Sequence, residues 1–186
     1  MSQQVYYSDS ASGLLSTSQG KRLIVAPDLL INSIHQTLLS EVGELASMAF
    51  YTFGFSWGKS FYASTRKEIE LYYETPISQM NATEFFATIQ QLWRAHGLGK
   101  VIVDFSFTQE GLLLVTIENS GISIVEEKAE SKSFSVEAGF LAGWFSAQTN
   151  QDLSAYATNW NAKPRRTQYL IGAKSQIEQI EQNSSS

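Results

Sequence analysis

"FYTFGFSWGKSF", Phe50 to Phe61, sets six aromatic rings around two glycines, Gly54 and Gly58. The stretch reads as the middle of a helix from Glu44 to about Thr65. Each glycine inside a helix costs about 1 kcal/mol against alanine, so two of them need a compensating reason. The steric reason is the close approach of a second backbone to a Gly-x-x-x-Gly face. The spacing returns in "VEAGFLAGWFSAQ", Val136 to Gln148, where Gly139 and Gly143 lie in a later predicted helix. Gly54, Gly58, Gly139 and Gly143 are therefore expected to mark close helix contacts.

Other elements follow outward from this pair. Residues 1–20 are rich in Ser and Gln and read as a flexible arm. Arg22 to Ala26 is a short strand or extended lead-in, and Pro27 suits the first turn of a helix over about 28–42. Leu30, Ile31, Ile34, Leu38 and Leu39 give that helix its apolar stripe. Asn81 followed by Glu84 reads as a capping box for a third helix, which Gly97 stops. Lys100–Phe107 and Leu112–Glu118 read as a hairpin turning at Gln109, Glu110 and Gly111. Residues 119–135 form a charged connection. After the second glycine helix, Leu153–Trp160 and Thr167–Gly172 are strands joined through Lys163-Pro164-Arg165-Arg166. Helices, hairpin, helix, hairpin predicts an α+β fold, with an antiparallel sheet of about four strands and the helices on one side. The domain is expected over 21–174, with a fraying polar tail over 175–186.

Composition narrows the chemistry. The 186 residues suit one domain, and the formal net charge of −5 argues against a sequence-independent nucleic-acid binder. The chain has no cysteine, which removes disulfides, thiolate metal sites and cysteine nucleophiles. The N-terminus has neither the basic nor the apolar segment of a signal peptide, and no apolar run is long enough to span a membrane. His35 and His96 stand alone, without neighbours at ligand spacing, so no metal site is expected. Glu68/Glu70 and Glu126/Glu127 lie in charged runs and read as solvated faces. Nucleophile-elbow, phosphate-loop and dinucleotide fingerprints are absent, so no catalytic residue is nominated. The aromatic helices leave three readings open: a plain core, a pocket for a flat apolar ligand lined by Phe53, Trp57, Phe61, Phe140 and Trp144, or a dimer face.

The ordered set "RLIVAP", "FYTFGFSWGKSF", "LWRAHGLGKV" and "EAGFLAGWF", closed by the last hairpin, resembles the 4-vinyl reductase domain family from about Arg22 to Gly172. That family resembles the small subunits of the TRAPP vesicle-tethering complexes in fold and is often dimeric. The resemblance implies roles in chlorophyll biosynthesis, small-aromatic sensing or photosystem II assembly. The Cys-free, Gln- and Ser-rich character is most similar to the cyanobacterial assembly members. Where many family domains carry paired cysteines, this chain has Trp160 and Gln168, so a metal held there in relatives is not expected here. The resulting expectation is a non-enzymatic accessory protein in photosystem II assembly. It would form a homodimer, or a heterodimer with a related protein, and meet assembly intermediates. Chlorophyll or a chlorophyll precursor is the candidate ligand, and Arg165 and Arg166 are the candidate partner contacts. The place would be cytoplasmic, or peripheral on the cytoplasmic side of the thylakoid. The rivals are a chlorophyll-precursor reductase or its auxiliary, and a small-molecule-sensing domain.

Overall fold

The computed structural model describes residues 6–17, 20, 22–24, 27, 29–43, 45–122, 135–162 and 165–184. Its centre is a helix of fifteen residues, α4 (Ser135–Thr149), buried on every side from Ser135 to Ser146. An apolar helix without a polar face needs cover all round. One side lies along α2 (Leu45–Tyr73), and the other lies on a four-stranded antiparallel sheet. That sheet runs in the order β4 (Lys100–Asp104), β5 (Leu113–Glu118), β7 (Arg165–Ala173), β6 (Leu153–Ala162).

Register fixes which strand residues face α4. Val115 lies opposite Tyr169, and Ile117 opposite Thr167. Ala157 pairs with Tyr169, and Ala155 with Ile171. All of these are buried, and the aliphatic and aromatic ones belong to the core. Side chains alternate across a strand, so the intervening residues form a second, more polar face. Helix α3 (Ala82–Ala95) joins the core through Phe85, Ile89 and Trp93. Its start has the reciprocal cap, with Asn81 accepting from the Glu84 N–H at 2.9 Å. Its end is fixed by Gly97 at φ +70°, and the Trp93 indole donates to the Leu98 carbonyl at 2.7 Å.

Several elements differ from the sequence expectation. The expected flexible arm contains a hairpin, β1 (Tyr6–Asp9) with β2 (Leu14–Thr17), and β2 continues pairing to the two-residue β3 (Arg22–Leu23). Helix α2 passes Thr65 and runs to Tyr73, because Ile69 is buried and Arg66 pairs with Glu70 at 2.9 Å one turn on. The chain leaves it through Glu74 at φ +51°, shortly before Pro76. Strand β4 ends at Asp104, whose carboxylate accepts from the Ser106 N–H and turns the chain. The expected fraying tail is α5 (Lys174–Ser184), held against β6 and β7 with Ile177 fully buried. Glu126 and Glu127, most of the charged connection, and Lys163-Pro164 lie outside the described residues.

Candidate functional site

The four helix glycines meet one another's helices. A β-carbon at Gly54 would lie 2.9 Å from the Phe140 backbone nitrogen, and one at Gly58 equally near that of Trp144. In return, a β-carbon at Gly139 would lie 2.9 Å from the Tyr51 carbonyl carbon, and one at Gly143 2.8 Å from that of Phe55. A carbonyl oxygen is closer still in each case. These contacts advance together along both helices, so α2 and α4 run parallel with their backbones touching. The α2 end of this contact is tied to the edge strand, where the Tyr51 hydroxyl bonds Ser154 Oγ at 2.8 Å and accepts from the Ala155 N–H.

The five aromatic candidates split by burial. Phe140 and Trp144 are enclosed, Trp57 and Phe61 are half-buried, and Phe53 is 50% exposed. Phe61 packs on both Phe140 and Trp144, at 5.5 and 5.2 Å between ring centres, while Phe53 stacks on Trp57 at 6.1 Å. Beside Trp144, between α3, α4 and the sheet, lies an apolar void of about 10 Å³ bounded by Phe86, Ile89, Trp93, Val101 and Leu141. That is room for about one water, whereas an engineered cavity of about 150 Å³ holds benzene. The buried Trp144 Nε1–H has no hydrogen-bond partner among the described residues.

The first turn of α4 carries a group that the sequence reading passed over. Glu137 is fully buried, and both carboxyl oxygens accept hydrogen bonds, one from Ser120 Oγ at 2.6 Å and the other from the Tyr169 hydroxyl. Ser120 Oγ in turn accepts from the Ile122 N–H at 3.0 Å. The network joins the loop after β5, helix α4 and strand β7. A lone charge in an otherwise apolar helix was the available signal. Such a residue is rarely buried unless paired.

Helix α1 (Leu29–Val42) leaves much of its apolar stripe uncovered. Leu30 and Ile34 are each 43% exposed, and Leu38, Leu39 and Val42 are also exposed. Ile31, the most buried of that stripe, packs against the core. Across the turn at Gly43, Leu45 and Met48 continue as exposed apolar residues at the start of α2. His35 sits between the helices, edge-on to Phe50 at 4.9 Å, and burial lowers its pKa.

On the last hairpin, Trp160 lies opposite Thr167 and Asn159 opposite Gln168, so the two candidate metal positions are occupied by an indole and a carboxamide. Among the described residues, no group of three His, Cys, Asp or Glu side chains is placed to hold a metal. Arg165 and Arg166 are successive residues of β7 and so point to opposite faces. His96 caps α3, its Nδ1 2.9 Å from the Leu92 carbonyl.

No protein family and no curated protein matches this chain in sequence. Solved structures do match its shape. The phenol-responsive sensory domain of the transcription activator PoxR, solved with phenol, has a TM-score of 0.64 at 16% identity, over 97% of this chain and 90% of that one. A vinyl-4-reductase family protein from Methanocaldococcus jannaschii has a TM-score of 0.52 at 11% identity, over 80% and 82%. The chain has a vinyl-4-reductase-like fold. Trafficking protein particle complex subunit 3 from Naegleria fowleri, covalently bound to palmitic acid, has a TM-score of 0.57 at 8% identity, over 79% and 92%. No described helix is long and apolar enough to cross a membrane.

Proposed function

We propose that the protein is a non-catalytic accessory domain that works by docking, and that it self-associates through α1 and the start of α2. The carrying observation is the exposed apolar stripe of α1, Leu30, Ile34, Leu38 and Val42 with Leu39 beside it. Contiguous exposed apolar surface marks interaction sites. The occupant is a second copy: Glu41 is the only charged residue of α1, so pairing like with like buries almost no repulsive charge. The complex subunit among the structural neighbours is consistent with an assembling fold.

In its finer form, the proposal makes the further partner a photosystem II assembly intermediate on the cytoplasmic side of the thylakoid. A chlorophyll-type tetrapyrrole would be cargo against the outward Phe53–Trp57 stack. The support is the Cys-free, Gln- and Ser-rich likeness to cyanobacterial assembly members, with those stacked rings.

Burial of a leucine-sized side chain contributes about 1.5–3 kcal/mol, and each 1.4 kcal/mol is tenfold in Kd. Ile34→Glu with Leu38→Glu should therefore weaken self-association by roughly 100-fold or more. Light scattering behind size exclusion is the measurement. Dimeric wild type and a folded monomeric variant are expected; a wild type that is monomeric at about 100 µM would refute self-association.

A second reading, sensing of a small aromatic, is favoured by one residue: Trp144, whose ring borders the apolar void and whose buried N–H has no hydrogen-bond partner among the described residues. A phenol-bearing sensory domain is among the neighbours in fold. The void's size argues against it, since a ring would have to displace core side chains. Millimolar phenol is accordingly expected to leave the melting temperature unchanged. A saturable rise that disappears in Trp144→Phe would make sensing the better reading.

A further inference from the structure

The outward face of the β6–β7 hairpin has a second kind of surface, polar and concave. Arg166 and Gln168 alternate to the same face of β7, and their register partners Asn161 and Asn159 alternate to the same face of β6. An irregularity between Ala157 and Asn159 shifts the register by one residue and so decides which β6 side chains reach this face. With Trp160 they border a recess of about 280 Å³. We propose that this recess binds a carboxylate group, with Arg166 as its anchor. The inference is independent of the α1 docking face.

Charge is the first argument. Glu118 lies directly opposite Arg166 in the β5–β7 register, yet its carboxylate pairs instead with Lys100 at 3.0 Å. Among the described residues, no carboxylate lies within 4.0 Å of the Arg166 guanidinium. A forked cation therefore faces an opening while the acid opposite it in register is held by another base. Its neighbour Arg165 alternates to the other face, which leaves one guanidinium here. One planar fork matches one planar carboxylate in two parallel hydrogen bonds.

Orientation is the second argument. Asn159 Nδ2 donates to Gln168 Oε1 at 3.2 Å, and Gln168 Nε2 lies 3.4 Å from Thr116 Oγ1, itself buried. Both carboxamides are thus held before anything binds, and each has a second N–H left to offer. Among the described residues, pre-set neutral donors flank one cation, an arrangement that suits a single negative charge. Size is the third argument: about 280 Å³ falls just below the usual range for small-ligand sites, which fits a group of side-chain dimensions.

Two sources carry this chemistry, a free dicarboxylate and an acidic side chain of a protein partner. The test follows the Arg166 Nε–H and the Asn and Gln side-chain amides of the full chain by nitrogen-edited NMR. Sodium glutarate and a blocked Asp-Glu peptide are titrated at ionic strength held constant with sodium chloride. Saturable movement of Arg166 with the amides of Asn159 and Gln168 is expected, at least tenfold weaker in Arg166→Gln and intermediate in Arg166→Lys. Saturation by glutarate alone assigns the site to a small molecule, and tighter binding of the peptide assigns it to a partner's acidic side chain. The proposal is overturned if neither ligand moves Arg166, if chloride or phosphate moves it equally, or if Arg166→Gln binds as well as wild type.

Discussion

Replacing Gly58 by alanine is expected to lower the melting temperature by roughly 6–12 °C. In an exposed helix the same change is favourable by about 1 kcal/mol, so the expected sign is set by packing alone. The new methyl would fall on the Phe140 carbonyl and lie 2.9 Å from the Trp144 nitrogen. Those are main-chain atoms of a helix enclosed on every side, and no flexible side chain can swing away to make room. Overpacking typically costs 1–3 kcal/mol, and a backbone-on-backbone clash belongs at about 3. For a chain of this size, each kcal/mol moves the midpoint by about 2–4 °C. Gly143→Ala should behave alike, because its methyl would meet the Phe55 main chain. Larger residues at either position should prevent folding. Thermal melts followed by circular dichroism decide the matter, and an unchanged or raised midpoint in both alanine variants would show that α2 and α4 do not touch through their glycines.

The other large effect belongs to Glu137. Glu137→Leu keeps the side chain's bulk but leaves the Ser120 and Tyr169 hydroxyls without the carboxylate they donate to. A hydrogen bond to a charged group contributes about 1.5–3 kcal/mol, so losing both is expected to cost roughly 4 kcal/mol. Glu137→Gln, which keeps one oxygen acceptor, should lose less. Tyr169→Phe removes one of the two donors to the carboxylate, so Glu137→Leu should cost less in that background than in wild type. A double-mutant cycle by urea unfolding reads this coupling directly. Strict additivity of the two changes would show that Glu137 and Tyr169 do not support each other.

Local chemistry was legible in the sequence wherever a few adjacent residues settle the outcome. The Asn81–Glu84 cap, the stop at Gly97, the antiparallel hairpins and the resulting α+β class follow from short-range rules of capping, turn formation and alternation. The Gly-x-x-x-Gly spacing on two helices was also plain, and it called for a close neighbour without naming one. Only the tertiary structure decided that each glycine pair receives the other's helix, in parallel, since that depends on how the sheet places α4 beneath α2. The α1 stripe shows the same division. Its 3.6-residue period was readable, but periodicity carries no information about how much of the stripe the rest of the protein covers, and much of it is left uncovered. Glu137 was visible as one charge among apolar residues, while its partners come from positions 120 and 169 and could not be read from its neighbours. The polar tail over 175–186 was expected to fray because its own composition stabilises it little. Lys174–Ser184 is a helix because Ile177 finds a buried place beside β6 and β7, a contact set by the fold rather than by the segment.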